Sequence, residues 1–227
     1  KELPAGGWGR LTRLEQLEFA GARALRELPE DLGAAASLGG AFDLLPQTKL
    51  AALPRSFGRL SRVTLLRLPP GVSAPDPIAG MTGLRELRVR AVATLPEDIG
   101  ALQELRLVDA CECPITRLPT SIGGASALRS LSLGRTLVTT LPDSVCELQA
   151  LRDLDLQQTP LTELPEAIGR VPLTRLRLQQ TAIVRLPESL ATPAGDLRIY
   201  LQRDQRAAIE ASSAGVLAAL GERVVFE

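Results

Sequence analysis

A Leu-Pro pair recurs along the whole chain and constrains its fold more than any other feature. The pairs that keep a regular spacing begin at Leu3, Leu28, Leu53, Leu95, Leu118, Leu141, Leu164 and Leu186. Successive steps are 25, 25, 42, 23, 23, 23 and 22 residues, and the step of 42 contains a degenerate copy, APDPIAGM, at 74–81. Such a period, sustained over 227 residues, is typical of a solenoid, because each unit is too small to bury its own apolar face.

The body of each unit predicts one short strand and one tight turn. In the copy at 148–171, Leu154 and Leu156 are two residues apart, so both point to one side of an extended strand. Thr159 then begins a turn, and Pro165 suits the start of a helical segment because its φ is preset. Stacked units therefore predict an α/β solenoid with a curved parallel sheet on the concave side and short helical or 3-10 segments on the convex side.

The last residues depart from the repeat. We predict an array of about eight repeats over 1–201 and a C-terminal helical cap over 202–227, where Ile209, Val216, Leu217 and Leu220 have helical spacing. A binding helix is the alternative for that segment. Local distortion is expected at 38–50, where the register is hardest to assign. No N-terminal cap is visible, so more protein is expected before Lys1.

Composition excludes several classes of function. Lys plus Arg and Asp plus Glu number 26 each, which argues against binding of nucleic acid or a membrane surface by the whole chain. No histidine is present, so no Ser-His or Cys-His pair can form. No run of eighteen apolar residues occurs, so no membrane span is predicted. The three cysteines, Cys111, Cys113 and Cys146, lack the spacing of a disulfide framework or a zinc site, and a reducing compartment fits them.

We therefore predict no cofactor, no metal and no catalysis by this chain. Asp153 and Asp155 share one strand face and resemble a pair of catalytic carboxylates. We expect both to be open to water beside Arg177, without the raised pKa that a general acid requires.

Side chains on the inner strands that do not face the core should line the concave surface in columns. We predict that Arg198 follows Arg177 in the middle column, and that Tyr200 follows Gln179 in the next. The candidate partner-binding residues are Arg67, Arg88, Arg90, Asp109, Asp153, Asp155, Arg175, Arg177, Arg198 and Tyr200. Clusters of opposite sign favour a protein-binding face with electrostatic registration. A solvated sheet face with neighbouring opposite charges is the alternative.

The LPxxIGxL segment with Thr or Cys after the strand resembles the plant-type leucine-rich repeats, over about Leu3 to Leu201. Most leucine-rich repeats place Asn in that column, whereas here it reads Thr48, Cys113, Thr136, Thr159 and Thr181. A threonine hydroxyl can do part of the work of the Asn amide, and we expect Cys113 to be a small buried member of this ladder.

Among plant-type repeats the sequence is most similar to disease-resistance-like repeats and to repeats of effectors that plant-pathogenic bacteria inject, Xanthomonas ones among them. This resemblance implies a module that binds a host protein in the host cytoplasm. It also implies an alternative, the substrate-recognition part of a ubiquitin ligase whose catalytic region lies elsewhere, although no residue here matches a ligase site. An intracellular scaffold or an immune-receptor segment is a third possibility.

Lysine is scarce, with only Lys1 and Lys49 among the 26 basic residues. A GC-rich genome accounts for this scarcity, since Arg and Ala codons are rich in G and C. Avoidance of self-ubiquitination is the other explanation.

Overall fold

Nine short parallel strands form one open sheet in which every strand pairs with the next along the chain. The computed structural model describes residues 6–17, 25–44, 49–74, 78–194 and 196–227, so the predictions made for Leu3 and Thr48 fall outside it. The strands are β1 (Gly39–Asp43), β2 (Arg62–Arg67), β3 (Glu86–Arg88), β4 (Leu107–Asp109), β5 (Ser130–Ser132), β6 (Asp153–Asp155), β7 (Arg175–Arg177), β8 (Arg198–Leu201) and β9 (Val224–Phe226). The predicted parallel-sheet solenoid is confirmed.

The predicted leucines build the core in the expected register. Leu131, Leu154 and Leu176 pair in sequence across β5, β6 and β7, and all three are fully buried. Leu156 and Ile168 are buried in the same continuous cluster. Each turn thus contributes one apolar edge, and adjacent turns cover it from both sides.

The convex side consists of 3-10 turns rather than α-helices. These turns are Trp8–Arg10, Leu32–Ala34, Arg55–Arg59, Ile99–Ala101, Thr120–Gly124, Asp143–Glu147, Ile168–Arg170 and Glu188–Ala191. A proline precedes several of them in extended conformation, for example Pro119 before Thr120 and Pro142 before Asp143. Proline fixes φ and lacks an N–H, so it suits this entry to a helical turn.

After β5, β6 and β7, a threonine hydroxyl closes the turn that follows the strand. Oγ1 of Thr136, Thr159 and Thr181 donates to the carbonyl three residues earlier, over 2.7, 2.7 and 2.8 Å. Cys113 is buried at the equivalent position, as predicted, and its Sγ lies 3.7 Å from the Val89 carbonyl oxygen of the preceding turn.

The N-terminal part of the sheet is irregular where distortion was expected. The pairing of β1 with β2 shifts register between Gly40 and Ala41, and Gly40 has φ of 77°. A positive φ at this bulge is a conformation that glycine adopts without strain. One end of the core there holds the edge-to-face pair Phe42 and Phe57, with ring centroids 5.2 Å apart.

The predicted C-terminal cap is confirmed as helix α1 (Arg206–Leu220). Ile209, Val216 and Leu220 are buried against the last repeat, and Ser213 Oγ accepts a hydrogen bond of 2.9 Å from the Leu186 N–H. The cap segment also returns to the sheet as β9, which pairs with β8 and which the sequence did not indicate. The boundary at residue 201 remains a prediction. No helix in the described ranges is both long and apolar enough to cross a membrane.

Candidate protein-recognition surface

The concave face presents three columns of residues, two formed by the strands and the third by residues just beyond the strand ends. The first column is Leu65, Glu86, Leu107, Ser130, Asp153, Arg175 and Arg198. The middle column is Asp43, Arg67, Arg88, Asp109, Ser132, Asp155, Arg177, Tyr200 and Val225. The third follows two residues later and includes Arg90, Cys111, Gly134, Gln157 and Gln179. All ten predicted residues therefore lie on one face.

Two of these residues stand one column away from their predicted places. Arg198 pairs with Arg175, not with Arg177, and Tyr200 pairs with Arg177. The segment that contains β8 has apolar residues at Leu197, Ile199 and Leu201, so two registers place leucine or isoleucine inward. Because side chains alternate with period two, a slip of two residues keeps the buried face buried. The apolar pattern alone could not choose between these registers.

The N-terminal half of the face is neutralised by its own carboxylates. Arg67 Nη1 lies 3.1 Å from Asp43 Oδ2, and Arg88 Nη2 lies 3.1 Å from Glu86 Oε2. Arg90 contacts both carboxylate oxygens of Asp109, over 3.0 and 2.9 Å. Arg67, Arg88 and Arg90 are thus all members of ion pairs, as the alternative interpretation of a solvated face anticipated.

The Arg90–Asp109 pair shifts the pKa of both groups toward their charged forms. The hydrogen bond that Arg90 donates to the Asp109 carboxylate is the main cause of the raised pKa of Arg90. Burial alone raises the pKa of Asp109, but the hydrogen bonds from Arg90 and from the Cys111 N–H outweigh it, so that the pKa is lowered. The Asp109 carboxylate therefore holds both the Arg90 side chain and the backbone of the turn that follows β4.

A second group of ion pairs lies on β6 and β7. Asp153 accepts from Arg175 over 2.9 Å and from Arg177 over 3.2 Å, and Arg177 also reaches Asp155 over 3.4 Å. The expectation that Asp155 is open to water is wrong, because its side chain is only 12% exposed. Burial raises its pKa despite the Gln157 N–H and Arg177, which act in the opposite direction.

Between these two groups the face is uncharged. Leu107, Ser130 and Ser132 are half-buried there, and Gly134 follows β5. This uncharged centre is the part of the face that a partner can approach without separating an existing ion pair.

Arg198 differs from the other candidate arginines. It is exposed, and it forms no ion pair with any residue in the described part of the chain, whereas the other five all do so. Tyr200 is half-buried beside Arg177 on the same face.

The sequence did not reveal a row of left-handed residues along the rim of this face. Ala91, Glu112, Arg135, Gln158 and Gln180 have φ between 53° and 61°. Arg135 links its neighbours in this row, since it donates to Glu112 over 2.9 Å and to Gln158 over 2.7 Å. No glycine or asparagine marks these positions, so the usual signal for a left-handed turn is missing.

The cysteines are free thiols whose pKa values are raised mainly by burial. The pKa of Cys111 reaches about 11, to which the charge of Asp109 also contributes. Thiols with raised pKa are poor nucleophiles. No group of three or more Asp, Glu, Cys or His residues in the described ranges is arranged to hold a metal ion.

No protein-family model matches the sequence. No curated protein matches it either.

Solved structures do match the fold. A leucine-rich repeat protein of Leptospira interrogans is 20% identical with a TM-score of 0.60, covering 96% of this chain and 56% of that one. A structure of the Toll–Spätzle complex of Drosophila gives 24% identity and a TM-score of 0.65, over 86% of this chain and 31% of that one. The functional domain of the internalin InlJ of Listeria monocytogenes gives 19% and 0.56, over 86% and 45%.

The chain spans about half, or less, of the length of each of these proteins. At such identities the similarity is evidence of architecture. Together with the single sheet of consecutive parallel strands, it shows that the chain has the fold of a leucine-rich repeat solenoid.

Proposed function

We propose that this chain is a recognition module that binds another protein on the concave face of its sheet. The observation that carries the proposal is the uncovered parallel sheet. Parallel sheets are ordinarily buried on both faces, but here one face carries half-buried or exposed side chains on every strand from β2 to β8. Solenoids offer such extended curved faces as binding surfaces.

The ion pairs support this proposal by holding side chains in place. Arg90 is held by two parallel hydrogen bonds and Arg177 by two carboxylates. Side chains already fixed before binding lose less conformational entropy when a partner arrives. The similar Toll structure is that of a complex with Spätzle, which is in keeping with a protein partner for this chain.

The narrower form of the proposal concerns the source of the partner. We propose that the partner is a host protein. We also propose that this chain is the targeting part of an injected bacterial effector that acts in the host cytoplasm. It rests on the similarity of the LPxxIGxL repeats to those of effectors of plant-pathogenic bacteria.

A second candidate is the substrate-recognition part of a ubiquitin ligase. The scarcity of lysine, with only Lys1 and Lys49, favours it, because few acceptors would be left for self-modification. A ubiquitination assay on the full-length protein separates this candidate from a binding module without catalysis. Activity no higher than background in that assay would rule out the ligase.

A blocking substitution at the centre of the face tests the main proposal. Ser132→Arg places a long charged side chain between Asp109 and Asp155, where it has carboxylates to pair with and blocks the uncharged centre. Ser126→Arg is the matched control, because Ser126 is exposed and follows the convex turn Thr120–Gly124.

In pull-downs from plant cell extract, we expect a protein that the original chain and Ser126→Arg retain and that Ser132→Arg loses. Equal retention by the two variants would refute binding on the concave face.

A further inference from the structure

The first concave column ends in an arrangement of arginines that breaks the pattern of the rest of the face. In the first column, Arg175 is followed directly by Arg198. Val224 pairs with Ile199, so Arg223, which ends the 3-10 turn Gly221–Arg223 just before β9, adjoins the end of that column. Arg175 has a carboxylate beside it, whereas Arg198 and Arg223 form no ion pair within the described ranges.

This arrangement is costly to the fold. Like charges directly opposite each other on neighbouring strands destabilise a sheet. Arg175 is compensated by Asp153, but neither Arg198 nor Arg223 forms an ion pair with any residue within the described ranges. The acidic residues nearest to them in sequence, Asp196 and Glu222, are exposed and do not pair with them. Departures from local stabilising rules tend to occur at functional sites.

Tyr200 adds a second kind of contact to this end of the face. It is the only tyrosine in the chain, and it lies half-buried between Arg177 and Val225 in the middle column. Arginine and tyrosine are the side chains most enriched at the energetic centres of protein interfaces. A tyrosine hydroxyl can donate to a carboxylate, and the ring supplies apolar contact area.

We propose that Arg198 and Tyr200, with Arg175 and Arg223 beside them, receive a carboxylate-bearing segment of the bound protein. The proposal rests on the proposed concave-face function and names the chemistry of the partner. A carboxylate placed over Arg198 supplies the missing counter-charge, and the planar guanidinium matches it with two parallel hydrogen bonds. The balanced charge of the whole chain favours a protein segment over nucleic acid, which calls for a broad basic surface.

The test uses a fluorescein-labelled decaglutamate peptide, with binding followed by fluorescence anisotropy. We expect salt-sensitive binding to the original chain and about tenfold weaker binding to Arg198→Glu, a loss that corresponds to about 1.4 kcal/mol. Tyr200→Phe, which lacks only the hydroxyl, should weaken binding about threefold.

Arg59→Glu is the matched control for net charge. Arg59 is exposed on the convex turn Arg55–Arg59, so its reversal changes the long-range potential by the same amount as Arg198→Glu. Binding to Arg59→Glu should stay within about twofold of the original, because an exposed charge at that distance is largely screened. Equal losses for the two reversals, or no binding by the original chain, would overturn the proposal.

The melting temperature separates a binding role from a structural role. Arg198→Glu should leave it unchanged or raise it, since glutamate beside Arg175 replaces a repulsive pair with an attractive one. A fall for both Arg198→Glu and Arg198→Gln would contradict the proposal, because it would show that Arg198 is kept for stability.

Two further experimental outcomes would change the assignment of the ligand in different ways. Suppose that a labelled ten-nucleotide DNA strand binds the original chain more tightly than decaglutamate does, and that Arg198→Glu abolishes this binding. The ligand of Arg198 would then be nucleic acid and not an acidic protein segment. If Ser132→Arg loses its protein partner while Arg198→Glu binds decaglutamate normally, the acidic-segment proposal fails and the concave-face function stands.

Discussion

Arg90 and Asp109 join two turns of the solenoid through a pair of parallel hydrogen bonds of 3.0 and 2.9 Å. Asp109 also accepts the Cys111 N–H over 3.2 Å, so one carboxylate fixes its own turn and the side chain of the preceding turn. The same design recurs two strands later, where Asp155 accepts the Gln157 N–H over 3.1 Å and contacts Arg177. The two sites differ in pKa. Hydrogen bonds outweigh burial at Asp109 and lower its pKa, whereas burial dominates at Asp155 and raises its pKa.

Asp109→Asn should destabilise the chain at neutral pH by roughly 1–2 kcal/mol, because a charge-assisted bidentate contact is lost. The pKa of Asp109 is lowered in the folded state, so its contribution is present above the ordinary pKa of about 4. That contribution disappears as the pH falls through the lowered pKa. Urea unfolding from neutral to acid pH should show the gap between Asp109→Asn and the original chain closing. A gap that is independent of pH would mean that the carboxylate charge plays no part.

Asp155→Asn should show the opposite dependence. The pKa of Asp155 is raised in the folded state, chiefly by burial, so its stabilising contribution is complete below about pH 4 and is lost as the pH rises through the raised pKa. The asparagine variant should therefore gain stability relative to the original chain between acid and neutral pH. The same unfolding series measures it, and a relative loss over that range would refute the assigned direction.

Leu154→Ala should lower the free energy of unfolding by roughly 2–5 kcal/mol, as truncations in packed cores do. Leu154 is fully buried between Leu131 and Leu176. Leu137→Ala is the matched control, since Leu137 is 53% exposed and its truncation should stay within about 0.5 kcal/mol. Comparable losses in the two variants would mean that the register of the sheet is incorrect.

Gln180→Gly should stabilise the chain by roughly 0.5–1 kcal/mol. Gln180 is exposed and has φ of 57°, a conformation that costs energy for any residue with a Cβ. Gln180→Ala keeps the Cβ and so should be nearly neutral. Thermal unfolding of the three proteins decides the matter, and a destabilised glycine variant would show that backbone entropy outweighs the relieved strain.

The repeat made the architecture predictable because the same spacing recurs in register over most of the chain. Leu154, Thr159 and Ile168 all lie where that spacing placed them. Strand β9 was not predictable, because Val224–Phe226 follows a helix and belongs to no copy of the repeat. The left-handed rim was equally hidden, since residues such as Arg135 and Gln158 carry no turn signal.

The candidate surface was only partly predictable. Alternation along the strands groups the ten residues on one face, but it could not show which charges compensate one another, and their role in binding remains a prediction. Burial of Asp155 depends on how Gln157 and Arg177 fold around it, and a single sequence does not contain that packing. The isolation of Arg198 appeared only when pairing placed it beside Arg175 rather than Arg177.

On the convex side, successive turns approach each other closely at the glycine of LPxxIGxL. Gly100 donates its N–H toward Ser121 Oγ over 3.4 Å, and Gly33 and Gly169 make the same contact with serines of the following turn. A Cβ on Gly100 would lie 1.8 Å from the Ser121 carbonyl oxygen. Gly100→Ala should therefore cost roughly 1–3 kcal/mol, because the backbone of the next turn must move.

Gly215→Ala is the control for the effect of adding a methyl group. Gly215 lies within α1, and nothing is within 4 Å of a Cβ placed there. Alanine should stabilise that helix by about 0.5–1 kcal/mol, since glycine is the weaker helix former. Chemical denaturation of both variants tests the contrast. Equal effects at the two glycines would show that the convex turns are packed loosely enough to accept a side chain, and that the glycine of LPxxIGxL is not required by contact between turns.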